Sequence, residues 1–149
     1  MLENKNIKNR DDIKLSIITV SLNSVNTIEK TIQSIISQDY TNVEYIVIDG
    51  DSKDGTIDIV KKYSNYVTYY SSEKDKGIYD AMNKGIKNAR GDIIVFCNSG
   101  DFFYKNSFSK LIKLFNKYNY DFVFGTVLRN YTKGKILKYG YNFNRLKYN

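Results

Sequence analysis

Four short apolar runs, each followed by a stretch whose apolar residues recur every three or four positions, constrain this chain more than any other feature. The runs are "KLSIITVSL" (14–22), "VEYIVIDG" (43–50), "YVTYYSS" (66–72) and "DIIVFCN" (92–98). The periodic stretches are 26–38, 56–64, 78–89 and 107–119. In 26–38, Ile28, Ile32, Ile35 and Ile36 lie at helical spacing. Asn26 with Glu29 three residues on predicts a capping-box start. In 78–89, Ile78, Ala81, Met82, Ile86 and Ala89 share one side, and in 107–119 Phe108, Leu111, Ile112 and Phe115 do. Two further strands are predicted at 121–131 and 135–141, around the turn "TKGK". Strands alternating with helices predict an α/β fold, a mostly parallel open sheet with helices on both faces. The near-continuous apolar character of the first strands fits burial on both faces.

A chain of 149 residues suffices for one domain, and one this long buries roughly 70% of its unfolded surface. Its organisation reads as a polar lead-in (1–13), an α/β core (14–104) and a basic helix with a strand pair (105–149). No histidine is present, which excludes a Ser-His-Asp triad, a histidine metal site and a histidine base. Cys97 is the single cysteine, so no internal disulfide forms; a small core residue is expected there. No signal peptide or membrane-spanning run is visible, and a cytoplasmic protein is expected. The net charge of +7 is uneven: residues 102–149 carry ten Lys or Arg against one acid, Asp121. That segment suits peripheral contact with an anionic inner membrane face, and equally a solvated surface.

Ligands of open α/β sheets bind outside the carboxyl ends of the strands. Those ends collect Ser21 and Asn23, then Asp49, Asp51 and Asp54, then Glu73, Asp75, Lys76 and Gly77, then Asn98, Ser99 and Asp101. Several have plain structural explanations. Ser52 or Asp54 suits a cap of the following helix, Asp51 a solvated turn, and Asp80 and Asn83 exposed helix positions. No G-x-G-x-x-G or Walker loop follows the first strand. A phosphate held on this acidic rim calls for a divalent cation, and magnesium or manganese needs only one or two carboxylates beside phosphate oxygens.

The series "SIITVSLNSVNTIEKTIQSIISQDYTNVEYIVIDGDSKDGT" and "SEKDKGIYDAMNKGIKNARGDIIVFCNSGDFF" resembles the family 2 glycosyltransferases of GT-A fold, in order and spacing over about residues 14–104. The type is the bacterial enzymes that build polysaccharides and lipid-linked glycans. The resemblance implies a UDP-sugar donor, Mn2+ or Mg2+, an inverting transfer to the hydroxyl of a saccharide or lipid-linked acceptor, and no nucleic-acid partner. It implies that Thr19, Val20, Ser21, Asn23, Asp49, Asp51 and Lys76 line the nucleotide, with Asp49 accepting a hydrogen bond from the base. Asp75, Asp80, Asn83, Asn98 and Ser99 fall beside the donor sugar. The metal-binding motif falls on "NSGD", its metal ligand on Asp101, with Gly100 where a second acid often stands.

The family's second half binds the acceptor and supplies the general base. No candidate base stands after Asp101, so the donor-binding half of a glycosyltransferase, incomplete for transfer, is expected. Two other readings remain. One is a non-catalytic nucleotide- or membrane-binding module. The other is an aspartyl-nucleophile phosphohydrolase built on "YIVIDGD", which wants Thr or Val where Lys53 stands and the first strand instead of the second.

Overall fold

The computed structural model describes residues 12–117, together with the backbone of two short strands at 128–130 and 136–138. The elements run β1 (Leu15–Ser21), α1 (Ile28–Ile36), β2 (Val43–Asp49), α2 (Thr56–Lys62), β3 (Tyr69–Ser72), α3 (Ile78–Asn88), β4 (Ile93–Phe96), α4 (Ser107–Lys117), β5 (Leu128–Asn130) and β6 (Ile136–Lys138). Strands β1 to β4 form one parallel sheet in the order β3-β2-β1-β4. β5 and β6 pair antiparallel, with Arg129 opposite Leu137. Residues up to Lys117 form one compact unit and Tyr118–Asn149 a second.

Alternation along the central strands sorts two apolar layers. Leu15, Ile17, Tyr45 and Val47 cluster with Ile28, Ile32 and Ile35 of α1, Val60 of α2, and Phe108 and Ile112 of α4. Ile18, Val20, Ile46 and Ile48 cluster with Ala81 of α3. The two central strands are therefore covered on both faces, and every residue of β1 is buried, as its near-continuous apolar run predicts. Each fully buried Ile or Val contributes about 1.5–3 kcal/mol relative to an exposed one, so the two clusters outweigh any single polar contact.

Several boundaries differ from expectation for identifiable reasons. α1 starts at Ile28, and no Asn26–Glu29 capping box forms. The N–H groups of Thr27 and Ile28 both donate to Ser24 O, which closes the turn, and Glu29 accepts from the Tyr63 hydroxyl instead (2.9 Å). β3 begins only at Tyr69, because Tyr66 N and Val67 N are still turned back onto Tyr63 O. The first compact unit extends through Lys117 and so includes α4. Phe108 and Ile112 bury α4 in the core, and Gln38 accepts from Ser107 N (2.9 Å) while donating to Tyr104 O (2.9 Å). Beyond 128–130 and 136–138, the strands predicted at 121–131 and 135–141 lie outside the described residues, as does the "TKGK" turn.

α3 sits close on the sheet because Gly85 has no side chain: a methyl built there would lie 2.5 Å from Ile18 Cγ2. Gly85→Ala is expected to lower folding stability by about 1–2 kcal/mol. Overpacking of about 1–3 kcal/mol outweighs the helix-propensity gain of up to about 1 kcal/mol. Urea denaturation checks this as a lower midpoint at unchanged slope.

Candidate functional site

The carboxyl ends of β1, β2 and β3 converge on one buried acid. Asp49 is 0% exposed. Its Oδ1 accepts from the hydroxyls of Ser21 (3.0 Å) and Ser52, and its Oδ2 from Ser52 N (2.8 Å) and the Ser72 hydroxyl (2.7 Å). A carboxylate offers about four lone-pair positions, and all four are taken. Ser52 Oγ also accepts from Asn23 N (2.7 Å), which extends the network into the loop after β1.

That loop and the loop after β2 are zipped together. Lys53 N donates to Asn23 Oδ1 (3.1 Å), Ser24 N to Thr56 Oγ1 (2.7 Å) and Val25 N to Asp54 Oδ2 (2.9 Å). Asp54 Oδ1 also accepts from Thr56 Oγ1 (2.6 Å) and Thr56 N (3.0 Å), so it holds the start of α2 as expected. The Thr56 hydroxyl first, and Val25 N next, keep the Asp54 carboxyl below its ordinary range. Ser52 does not cap α2; it belongs to the Asp49 network. Asp51 adopts a left-handed backbone (φ +67°) and pairs with the Lys53 ammonium.

Several predicted nucleotide contacts therefore change character. Thr19 is buried and its hydroxyl accepts from Tyr45 (3.0 Å), Val20 packs with Ile18 and Ile48, and Ser21 is spent on Asp49. The side chains of Thr19, Val20, Ser21 and Asp49 are buried, each packed or hydrogen-bonded within the fold. Asp49 has no free lone pair for a base N–H.

The outer shell of the rim is open. Lys76 is exposed and its ammonium has no partner among the described residues. Asp75 Oδ1 accepts from Gly77 N (2.8 Å), and Asp80 Oδ2 accepts from Lys76 N (3.0 Å), so both acids order the entry to α3. Lys84 pairs with Glu73 (2.8 Å) and lies 3.9 Å from Asp80; the Glu73 contact raises its pKa. Asn83 is exposed on the first turns of α3.

The "NSGD" turn after β4 is pinned by one face of α1. The Thr31 hydroxyl, fully buried, donates to Asp101 O (2.8 Å) and accepts from Gly100 N (3.0 Å). Ser34 Oγ accepts from Phe103 N (3.1 Å). Ser99 N donates to Val20 O (3.0 Å), and its hydroxyl lies 3.4 Å from that of Thr27. Gly100 has φ +97°, where a side chain is strained although the space is open. Cys97 is buried as expected; burial first, then the Asp101 charge, pushes its thiol pKa up to about 12, so it is inert at neutral pH.

Asp101 itself is exposed, and its carboxylate has no partner among the described residues. Asn98 Oδ1, in the same turn, is buried without a hydrogen-bond partner. These are hard oxygen donors. No group of three or more potential ligand side chains occurs among the described residues. The pair still fits magnesium or manganese, which binds through one or two carboxylates when phosphate oxygens and water complete the shell.

A parallel open sheet whose carboxyl rim ends in polar loops and one free carboxylate belongs to the α/β class that binds nucleotides at its strand ends. More particularly, the chain belongs to the family described as Glycosyl transferase family 2, whose profile matches residues 16–149. An uncharacterised glycosyltransferase of Mycobacterium tuberculosis (strain CDC 1551 / Oshkosh) is 40% identical over 60% of this chain and 34% of its own length. The Escherichia coli UDP-Glc:alpha-D-GlcNAc-diphosphoundecaprenol beta-1,3-glucosyltransferase WfgD is 35% identical over 77% of this chain and 46% of its own length. The crystal structure of S. aureus TarS 1-349 in complex with UDP-GlcNAc superposes with a TM-score of 0.68 and 27% identity, over 72% of this chain and 32% of that one. The chain thus spans less than half the length of these relatives.

Sequence reasoning missed Thr31, Ser34 and Gln38. Three polar residues at 31, 34 and 38, spaced for one face of an otherwise apolar helix, were the available signal.

Proposed function

We propose that this chain is the donor-binding part of an inverting glycosyltransferase that takes a UDP-sugar with Mn2+ or Mg2+. The sugar passes to a hydroxyl of a saccharide or lipid-linked acceptor in polysaccharide or glycolipid synthesis. Membership of the family supports transfer, and the names of WfgD and the TarS complex support UDP-sugar as the donor class. The single observation that carries the reading is the free carboxylate of Asp101, a residue whose backbone carbonyl is pinned by the Thr31 hydroxyl just after the carboxyl end of β4.

Asp101, with Asn98, would hold the cation. When bound, the cation neutralises charge developing on the leaving diphosphate. Lys76 adds a second positive charge from the opposite loop, and Ser99 a hydroxyl donor. Asp51, Asn23, Asp80 and Asn83 line the remaining rim. The zipped loops after β1 and β2 fix Asn23 and Asp51 before the donor arrives, which reduces the ordering cost of binding. Deprotonation of the acceptor is assigned to a group outside the described residues, since 102–117 contains no acid. The reaction is placed at the cytoplasmic face of the membrane, with residues 102–149 as the peripheral contact. Among the described residues no helix is long and apolar enough to cross a membrane.

Calorimetry with UDP tests this. Wild type is expected to bind at least about tenfold more tightly with Mn2+ than with EDTA. Asp101→Asn is expected to lose that dependence at unchanged denaturation midpoint, because the carboxylate is exposed. Absence of UDP binding by wild type, or an undiminished Mn2+ effect in the variant, would overturn the proposal.

A further inference from the structure

The sealed state of Asp49 leaves open which group reads the nucleobase, and the neighbouring Gly50 points to one. A methyl built on Gly50 would lie 2.7 Å from Asp75 Oδ2 and 3.4 Å from Leu22 Cδ1. The Asp75 carboxylate thus occupies the space that any side chain at position 50 would need. Its Oδ1 is committed to Gly77 N, and no hydrogen bond is made to its Oδ2 among the described residues. Leu22 is 59% exposed, a large apolar side chain left in water at the carboxyl rim. A flat apolar contact beside one fixed carboxylate oxygen is the pairing a heteroaromatic ring with an N–H edge requires.

Resting on the proposed function, we infer that Asp75, seated over Gly50 and beside Leu22, reads the donor's nucleobase and selects a pyrimidine with an imide N–H. One free oxygen matches the single N3–H of uracil. Cytosine presents a bare lone pair at N3, which a carboxylate repels. Guanine offers paired N1–H and N2–H donors, which call for two free carboxylate oxygens, and Oδ1 is already held. Gly50 is part of the device: its lack of a side chain lets an acid from the β3–α3 loop reach the rim of β2. Asp75 acts on binding specificity, and no bond-making step is assigned to it.

The experiment compares UDP, CDP and GDP by calorimetry in Mn2+, using wild type, Asp75→Asn and Gly50→Ala, with thermal denaturation of each. Wild type is expected to prefer UDP over CDP and GDP by roughly tenfold or more, the scale of one charge-assisted hydrogen bond. Asp75→Asn keeps an acceptor for Gly77 N but offers an amide N–H that cytosine N3 can accept. Its UDP-to-CDP ratio is expected to fall to near one or invert. Gly50→Ala displaces the carboxylate and is expected to flatten the same ratio with Asp75 intact. A purely structural role would weaken all nucleotides alike and leave the ratio unchanged, and that result would overturn the inference alone. So would equal binding of UDP and CDP by wild type, or a wild-type preference for GDP. Absence of any nucleotide binding would instead remove the proposed function and this inference with it.

Discussion

Asp49→Ala is expected to cost about 3 kcal/mol or more of folding stability, a large share of what a domain this size possesses. The carboxylate has no access to solvent and accepts four hydrogen bonds, from Ser21, Ser52 twice and Ser72. These donors come from the ends of β1 and β3 and the loop after β2, so one side chain ties three chain segments. Truncation strands the part-buried Ser52 N–H, which cannot rotate, and the buried Ser21 hydroxyl, while the exposed Ser72 hydroxyl can turn to water. Each buried donor left unpaired costs about 1–3 kcal/mol. Asp49→Asn is the informative contrast. Its amide oxygen can keep Ser52 N and Ser72, while its NH2 faces two hydroxyls that can turn to accept. The loss should then be about 1 kcal/mol. Urea denaturation of both variants checks this. Near-equal midpoints for Asp49→Ala and wild type would mean that the network is not what joins the strand ends. A nucleotide-contact role predicts the opposite pattern: stability kept in both variants, and UDP affinity lost in both.

Much of the architecture was legible because it rests on periodicity. The apolar runs of β1 and β2 and the three- and four-residue spacing of α1 and α4 report burial directly, and the structure has them within a few residues. The place of the proposed site follows from the fold, since a parallel sheet gathers polar loop groups at the carboxyl ends of its strands. Which acids are buried and which are exposed was not legible. Alternation assigns Asp49 to the face of Tyr45 and Val47, but with both faces covered that says nothing about solvent. The readable trace was a serine beside each strand end, Ser21, Ser52 and Ser72, a ring of hydroxyl donors waiting for an acceptor-only group. Gly50 was illegible for another reason. Its partner Asp75 lies 25 positions away, and a close approach leaves no periodicity. Thr31 was hidden by habit, because a threonine inside an apolar helix reads as ordinary core until its hydroxyl is found on Gly100 N and Asp101 O.

The opposite end of the sheet carries the second large expected effect. Glu44, at the start of β2, is 3% exposed. It accepts from the Ser16 hydroxyl on β1 and from Arg90 N in the loop before β4, and pairs with Lys14 Nζ (3.0 Å). Ser16 Oγ in turn accepts from Gly91 N (2.8 Å), where a side chain would strike Lys14 O at 2.7 Å and Ser16 N at 2.8 Å. Burial alone would raise the Glu44 pKa. The Ser16 and Arg90 hydrogen bonds, with Lys14 beside them, outweigh burial and hold the carboxyl below its ordinary 4.5. Glu44→Ala leaves Arg90 N without its acceptor and Lys14 without its counter-ion, and should cost about 2–4 kcal/mol at pH 7. The sign with pH follows from the depressed value. The carboxylate's contribution is complete above the unfolded pKa near 4.5 and is lost as pH falls through the lower, folded value. Glu44→Gln cannot titrate. Wild type should therefore exceed Glu44→Gln in thermal midpoint by a constant margin from pH 7 down to about 5, and the margin should close on further acidification. A margin unchanged between pH 6 and pH 3 would show that Glu44 gains nothing from ionisation in the folded state, and that its partners hold it by shape alone.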